Sequence, residues 1–239
     1  MKYYSIQHSL NKKIMGHYPQ VKDVVYHCSV WDEPLFIDRF HHEKITVEPI
    51  IANPILYSKS KLTDLIYLWN SGFSFTKLIS SKLKNILEVK RKSGLQFIQC
   101  PIFKNDIRII DYWLLNMYEF NMDAIDFSNS QCRVKLRKKE GGTQVETQNL
   151  SSLNDFNKAV DYYKEKNEFF YVDKIAIKSV FNEDFFMLKN VEGGIKYVVS
   201  ENLKREIEDD GCTGIEFMPL ELSLNEWLHG EREKVYGKG

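Results

Sequence analysis

The chain has 239 residues, 43% of them hydrophobic and 13% aromatic, with 12 Gly and 6 Pro, which excludes collagen-like and low-complexity character and supplies ample mass for a packed core. At ~100–200 residues per domain this is one or two domains. Lys+Arg and Asp+Glu are 33 each, and this zero balance argues against a dedicated nucleic-acid binder, which carries a basic excess.

In chain order, the first ~58 residues read as a loop-rich segment with some β character. Val24, Val25, Tyr26 and Val30 make 24–30 a strand candidate, and Pro34, Pro49 and Pro54 interrupt the chain beyond it. Residues 60–69 read as a helix, with Leu62, Leu65, Ile66 and Trp69 on one face, Ser60 as its cap and Gly72 after its end. The remainder, from residue 59 on, reads as one α+β domain.

An internal similarity is the most informative feature. At an offset of 120, Ser80 matches Ser200, Leu83-Lys84 matches Leu203-Lys204, Gly94 matches Gly214 and Phe97 matches Phe217. Pro101 and Pro219 follow the two copies. Each copy reads as a strand, a serine able to cap a helix, a helix with one apolar face, a glycine turn and a second strand. Two related strand–helix–strand units, at about 75–102 and 195–220, are therefore expected, with helices starting near Ser80 and Ser200.

Between the copies, 107–116, 124–127 and 132–136 read as strands, and Gly141-Gly142 as a hairpin turn into 144–149. Residues 152–163 read as a helix whose apolar face is Leu153, Phe156, Val160 and Tyr163. Strands follow at 169–180, 185–188 and, after Gly193-Gly194, 195–199; a short helix is expected over 223–229. The fold class is thus α+β, with mixed, mostly antiparallel sheets and a few packed helices.

Catalytic and metal chemistry finds little support. His27, Cys28, His41 and His42 lack the spacing of a zinc site, because adjacent histidines point apart in either a helix or a strand. Asp111, Asp123 and Asp126 form the one carboxylate group that invites an acid–base reading, and it reads better as turn chemistry at strand ends. There is no GxSxG, P-loop, GxGxxG or HExxH, so no catalytic residue, metal or cofactor is assigned. Cys28, Cys100, Cys132 and Cys212 are widely spaced with no CxxC pair, and read as reduced thiols of a cytoplasmic protein. No stretch reads as a signal peptide or a membrane span.

The neutral balance hides an asymmetry. Residues 75–108 hold eight Lys/Arg against two Asp/Glu, whereas 183–233 hold five against thirteen. Glu206, Glu208, Asp209 and Asp210 are the densest acidic group, and they are the residues assigned to binding a basic protein partner.

The stretches 75–87, 95–102, 112–116 and 123–128, then 185–188, 197–204 and 211–220, follow one order of elements. Their terminal part, Ser200-Glu201-Asn202-Leu203-Lys204 leading to Gly214-Ile215-Glu216-Phe217-Met218-Pro219-Leu220, carries the most specific pattern. Over roughly residues 60–222 the chain resembles the bacterial polymorphic-toxin immunity protein family numbered eleven, formerly a domain of unknown function. The resemblance implies a non-enzymatic antidote that binds a cognate protein toxin, with no direct role for nucleic acid or membrane. It supplies no catalytic residues. An enzyme built on Asp111, Asp123 and Asp126, or an adaptor using the acidic surface, are the competing readings.

Overall fold

The computed structural model describes residues 1–68, 76–138 and 140–238. In chain order its strands are β1 (Tyr3–His8), β2 (Val21–Val25), β3 (Asn53–Leu56), β4 (Leu65–Ile66), β5 (Lys77–Ser80), β6 (Leu95–Gln99), β7 (Ile102–Lys104) and β8 (Ile107–Ile109). They continue with β9 (Tyr112–Met117), β10 (Gln131–Arg137), β11 (Thr143–Gln148), β12 (Phe169–Lys174), β13 (Phe185–Val191), β14 (Gly194–Ser200) and β15 (Ile215–Pro219). The helices are α1 (Lys12–Met15), α2 (Ser81–Lys90), α3 (Leu153–Glu165), α4 (Glu201–Asp209), α5 (Leu224–Glu226) and α6 (Arg232–Tyr236). The content is mixed α+β, and the strands form three mostly antiparallel sheets.

The chain divides into two compact units, one of Met1–Ile6, Phe120–Asn202 and Phe217–Val235, the other of Gln7–Glu119, Leu203–Glu216 and Tyr236–Gly239. The first is built on the seven-stranded sheet β11-β10-β12-β13-β14-β1-β15. Its core gathers Val134, Phe170, Val172, Phe186, Leu188 and Val198 with Phe156 of α3. Ser152 caps α3 by accepting from the Asp155 amide at 3.1 Å, and Leu153, Phe156, Val160 and Tyr163 turn inward as the 3.6-residue period requires. Phe156 packs its ring 5.0 Å from that of Phe127 and 5.6 Å from that of Phe170; a fully buried Phe contributes ~1.5–3 kcal/mol. A capping box between Ser223 and Glu226 opens α5, and the same carboxylate meets Lys174 at 2.6 Å.

The second unit holds the sheets β2-β3-β7-β8 and β4-β5-β9-β6, with a shared core of Val21, Leu56, Ile66, Leu78, Ile102 and Leu114. The expected helix over 60–69 is corrected here. Residues 60–64 are irregular and Leu65–Ile66 is strand β4, while Trp69 and Gly72 lie outside the described residues. The reason is a buried glutamine that captures this backbone. Gln20 donates through Nε2 to the Lys61 carbonyl at 2.9 Å and accepts the Tyr67 amide through Oε1 at 3.1 Å. The Asp64 amide is taken by the Thr213 carbonyl at 2.9 Å. Tertiary partners thus replace the i→i−4 ladder, and the helical spacing of Leu62, Leu65 and Ile66 is incidental.

Other strands shorten for similar reasons. Residues 26–30 leave the strand that ends at Val25. The run 107–116 splits into β8 and β9, because the Asp111 carbonyl accepts the Ser81 amide at 3.0 Å. Residues 122–124 form a 3-10 turn, with only a bridge of Ile125 to Ile177 beyond it. The strand from Phe169 stops at Lys174.

The two related units are present and extend beyond the matched residues. Segment β5-α2-β6 corresponds to β14-α4-β15, and β4 corresponds to the start of β13. Leu65 pairs with Ile79 as Phe185 pairs with Val199, again at the offset of 120. The Ser80 amide donates to the Asp64 carbonyl at 2.9 Å, and the Ser200 amide to that of Asp184 at 2.9 Å. Each serine hydroxyl also donates to the carboxylate of that aspartate. Lys84–Glu88 (2.6 Å) recurs as Lys204–Glu208 (2.7 Å).

The third strand of each set is where the chain does not repeat simply. In β4-β5-β9-β6 that place belongs to β9; in β13-β14-β1-β15 it belongs to β1, from the opposite end of the chain. Tyr112 stands opposite Ser80 and Tyr3 opposite Ser200. Cys100 donates its amide to the Tyr112 carbonyl at 2.9 Å, and Leu220 to that of Tyr3 at 3.2 Å. The amide of Tyr118 reaches the Gly94 carbonyl, and that of Ser9 the Gly214 carbonyl, both at 2.9 Å. Gly94 and Gly214 hold φ of 75° and 80°, which side chains rarely adopt, so both turns require glycine.

Candidate partner-binding surfaces

Helix α4 carries the acidic group read from the sequence. Leu203 and Ile207 bury one face of the helix, which sends Glu206, Glu208 and Asp209 outward. Two of the four acids are engaged. Glu206 Oε2 lies 2.5 Å from Lys90 Nζ, and Glu208 Oε2 2.7 Å from Lys204 Nζ. Asp209 and Asp210 are exposed and make no ion pair among the described residues. They stand where a helix ends, which is where the macrodipole disfavours negative charge. Gly211 follows in the left-handed region and closes the helix, its amide donating to the Glu208 carbonyl at 2.9 Å. The basic run of 75–108 is the neighbour of this acidic segment: Lys90 and Lys82 of α2 approach Glu206 and Gly211. Part of the acidic group is thus met by cations of α2 within this unit.

On α2, Lys84 also lies 5.1 Å from the ring centres of both Phe97 and Trp113. With Arg91 and Lys92 these residues line an open groove of about 680 Å³. Arg91 is held by Glu119 at 3.1 Å, and Trp113 Nε1 donates to Ser81 Oγ at 2.8 Å. The groove is shallow and its cations are largely committed.

A third surface has no signal in sequence periodicity. The loop 26–36 carries Trp31, 83% exposed, with Tyr26 and Leu35 also exposed nearby in the chain. Its backbone is nevertheless held. Arg39 donates from Nη2 to the carbonyls of Val30 (2.9 Å) and Trp31. Ser29 Oγ donates to Asp32 Oδ2 at 2.9 Å, and the Glu33 amide to the Ser29 carbonyl at 3.1 Å. Buried Phe36 and Ile37 anchor the loop's end through a bridge to Ile50. Trp31, Tyr26, Phe36 and Arg39 border a concavity of about 310 Å³.

The remaining candidates serve structure. His27 Nε2 lies 2.6 Å from Asn53 Oδ1, and His42 Nδ1 3.2 Å from the Met117 carbonyl. Asp126 accepts the Asn129 amide and side-chain amide at 3.3 and 2.8 Å, which is turn chemistry. Asp111 and Asp123 are exposed and belong to different units. All four cysteines are free thiols, and burial pushes those of Cys100 and Cys212 up to about 12, away from reactivity. Two carboxyls are strongly perturbed: Glu226 at the head of α5, which Lys174 and then the Ser223 amide hold down to about 2, and Asp173, buried 2.9 Å from Arg133 Nε, which burial first and then Glu192 raises to about 6. Among the described residues no group of three or more His, Cys, Asp or Glu could hold a metal ion.

The model of the immunity protein family Imm11 matches residues 2–221. The chain belongs to this family. The match begins at residue 2 rather than near 60, so the loop-rich first 55 residues are part of the Imm11 unit and the extent expected from sequence is corrected. No curated protein matches the chain. No helix among the described residues of this Imm11 protein is long and apolar enough to cross a membrane.

Proposed function

We propose that this Imm11 protein is a non-catalytic antidote that binds a cognate protein toxin and blocks it without making or breaking a bond. Membership of the immunity family across residues 2–221 is the observation that carries this reading. The surfaces support it: the strongly perturbed carboxyls are committed to ion pairs, Asp173 with Arg133 and Glu226 with Lys174, and the exposed features are charged or aromatic patches suited to a protein partner. Glu206, Glu208, Asp209 and Asp210 are proposed to steer a basic toxin, with exposed Asp209 and Asp210 as the effective pair. The test is co-expression with the toxin domain encoded beside this gene, followed by size-exclusion chromatography of the mixed proteins. Rescue of growth together with a stoichiometric complex is expected. Rescue without a complex, with chemical change of the toxin or its product, would instead mark an enzyme.

A further inference from the structure

We propose that the Trp31 loop is the anchor of the toxin interface, its indole entering an apolar pocket rimmed by Lys or Arg on the toxin. The inference deepens the antidote reading and rests on it.

Four observations converge. A tryptophan 83% exposed leaves most of its large apolar surface in water, and among the described residues of this unit no aromatic is more open. Tryptophan is also the residue type most enriched where truncation costs an interface heavily. Second, the loop is already ordered. Arg39 grips the Val30 and Trp31 carbonyls, and the Ser29–Asp32 and Ser29–Glu33 bonds close the turn, so binding would not have to order the backbone. Third, the apolar surface continues past the indole: Tyr26 and Leu35 are 43% and 39% exposed, and Tyr26 borders the same concavity. Fourth, the surround is acidic. Asp32 and Glu33 flank the tryptophan in sequence, and Asp38 lines the concavity with Arg39 and His41; three carboxylates thus stand against one guanidinium, which keeps its charge while it holds the carbonyls. Tyr26 feels this field, its hydroxyl being raised by burial and then by Asp23 and Asp38. Such a patch repels an acidic partner and suits a basic one. It also has the same sign as the unpaired end of α4.

The clamp holds carbonyls and not the indole, so Trp31→Ala removes the anchor and leaves the loop. The experiment measures binding of the purified toxin domain encoded beside this gene to the full chain and its variants. Trp31→Ala is expected to raise Kd by about 30-fold or more, mostly through faster dissociation, with an unchanged melting temperature. Trp31→Phe should recover part of the loss. Asp32→Asn, which keeps an acceptor for Ser29, should slow association at low salt, and added salt should erase the difference. Val180→Ala, at an equally exposed apolar residue of the other unit, should bind like the parent. Should Trp31→Ala bind within about threefold of the parent, the loop is not the anchor and the proposal is overturned while the antidote reading stands. If the parent itself does not bind the toxin, the antidote reading fails first.

Discussion

Gly94 and Gly214 occupy equivalent turns, yet alanine should affect them unequally. At both, a φ of 75° to 80° makes a side chain strained by ~1–2 kcal/mol. The surroundings then diverge. A Cβ at Gly214 would lie 2.6 Å from Thr63 Cβ and 2.7 Å from the Leu65 carbonyl oxygen. Thr63 is buried and Leu65 is in β4, so neither can withdraw without moving the strand, and overpacking of this kind adds ~1–3 kcal/mol. A Cβ at Gly94 would meet the Glu119 carboxylate at 2.3 Å and Arg91 Nη2 at 2.8 Å. Those are side-chain ends, and Glu119 is half exposed, so the ion pair can reopen at ~0–1 kcal/mol. Gly214→Ala should therefore cost ~2–5 kcal/mol and Gly94→Ala ~1–3 kcal/mol. The unit holding both has roughly 130 residues, for which 3 kcal/mol corresponds to about 11 °C in its melting temperature. Differential scanning calorimetry of the two variants decides the matter. Equal losses, or a larger one at Gly94, would refute the argument that backbone obstacles are worse than mobile ones.

Asp173 binds its proton more tightly folded than unfolded, so its contribution to stability grows as pH falls through about 6 and is lost as pH rises through it. The difference in stability between the parent and Asp173→Asn in chemical melts should therefore shift by ~1–2 kcal/mol in the parent's favour between pH 7.5 and 5, whereas His8, whose burial lowers its proton affinity, pulls the parent's own curve the other way. Ser80→Ala and Ser200→Ala should each cost ~1–2 kcal/mol in denaturant titrations, since each removes a hydroxyl that bonds its aspartate at the start of a helix; a difference beyond ~1 kcal/mol would deny that the two sites are equivalent. Reversing Asp209 and Asp210 to Lys should stabilise α4 by ~0.3–1 kcal/mol and slow toxin association at low salt, whereas Glu206→Lys would face Lys90 and lower the melting temperature.

Local chemistry explains which parts of the fold were legible. Ser80, Ser152 and Ser223 each cap a helix where sequence places one, because a serine before an apolar period states the helix start in adjacent residues. The repeat was legible at Ser80/Ser200 and Gly94/Gly214, since caps and left-handed turns tolerate few residue types. Its extension to Asp64/Asp184 was not, because one aspartate ahead of a short strand is unremarkable until its serine is seen to bond it. The failure at 60–69 came from Gln20, some 40 residues upstream, whose side chain dictates a backbone that local periodicity cannot know. Glu206 and Glu208 were found by charge density, but their pairing with Lys90 and Lys204 depends on tertiary placement or on which rotamer a helix pair adopts. Trp31 carries no periodic signal, and only its exposure singles it out.

The seating of β1 between β14 and β15 has a consequence for how the chain acquires its structure. During synthesis the strand at Tyr3–His8 emerges about 190 residues before the partners it needs, and β9 is required to complete a sheet begun by β4 and β5. The set β4-β5-β9-β6 can thus close once Met117 is made, from strands near one another in the chain, whereas β13-β14-β1-β15 has to recover a strand made long before. Strand β1 must stay unpaired, or paired elsewhere, until β14 and β15 have been made. High sequence separation of this kind slows folding, and it makes the first ten residues a poor place for a truncation or a rigid fusion. A synthetic peptide of residues 1–10 added to a chain lacking them would restore the missing strand in trans, a split-protein arrangement that this topology offers without redesign.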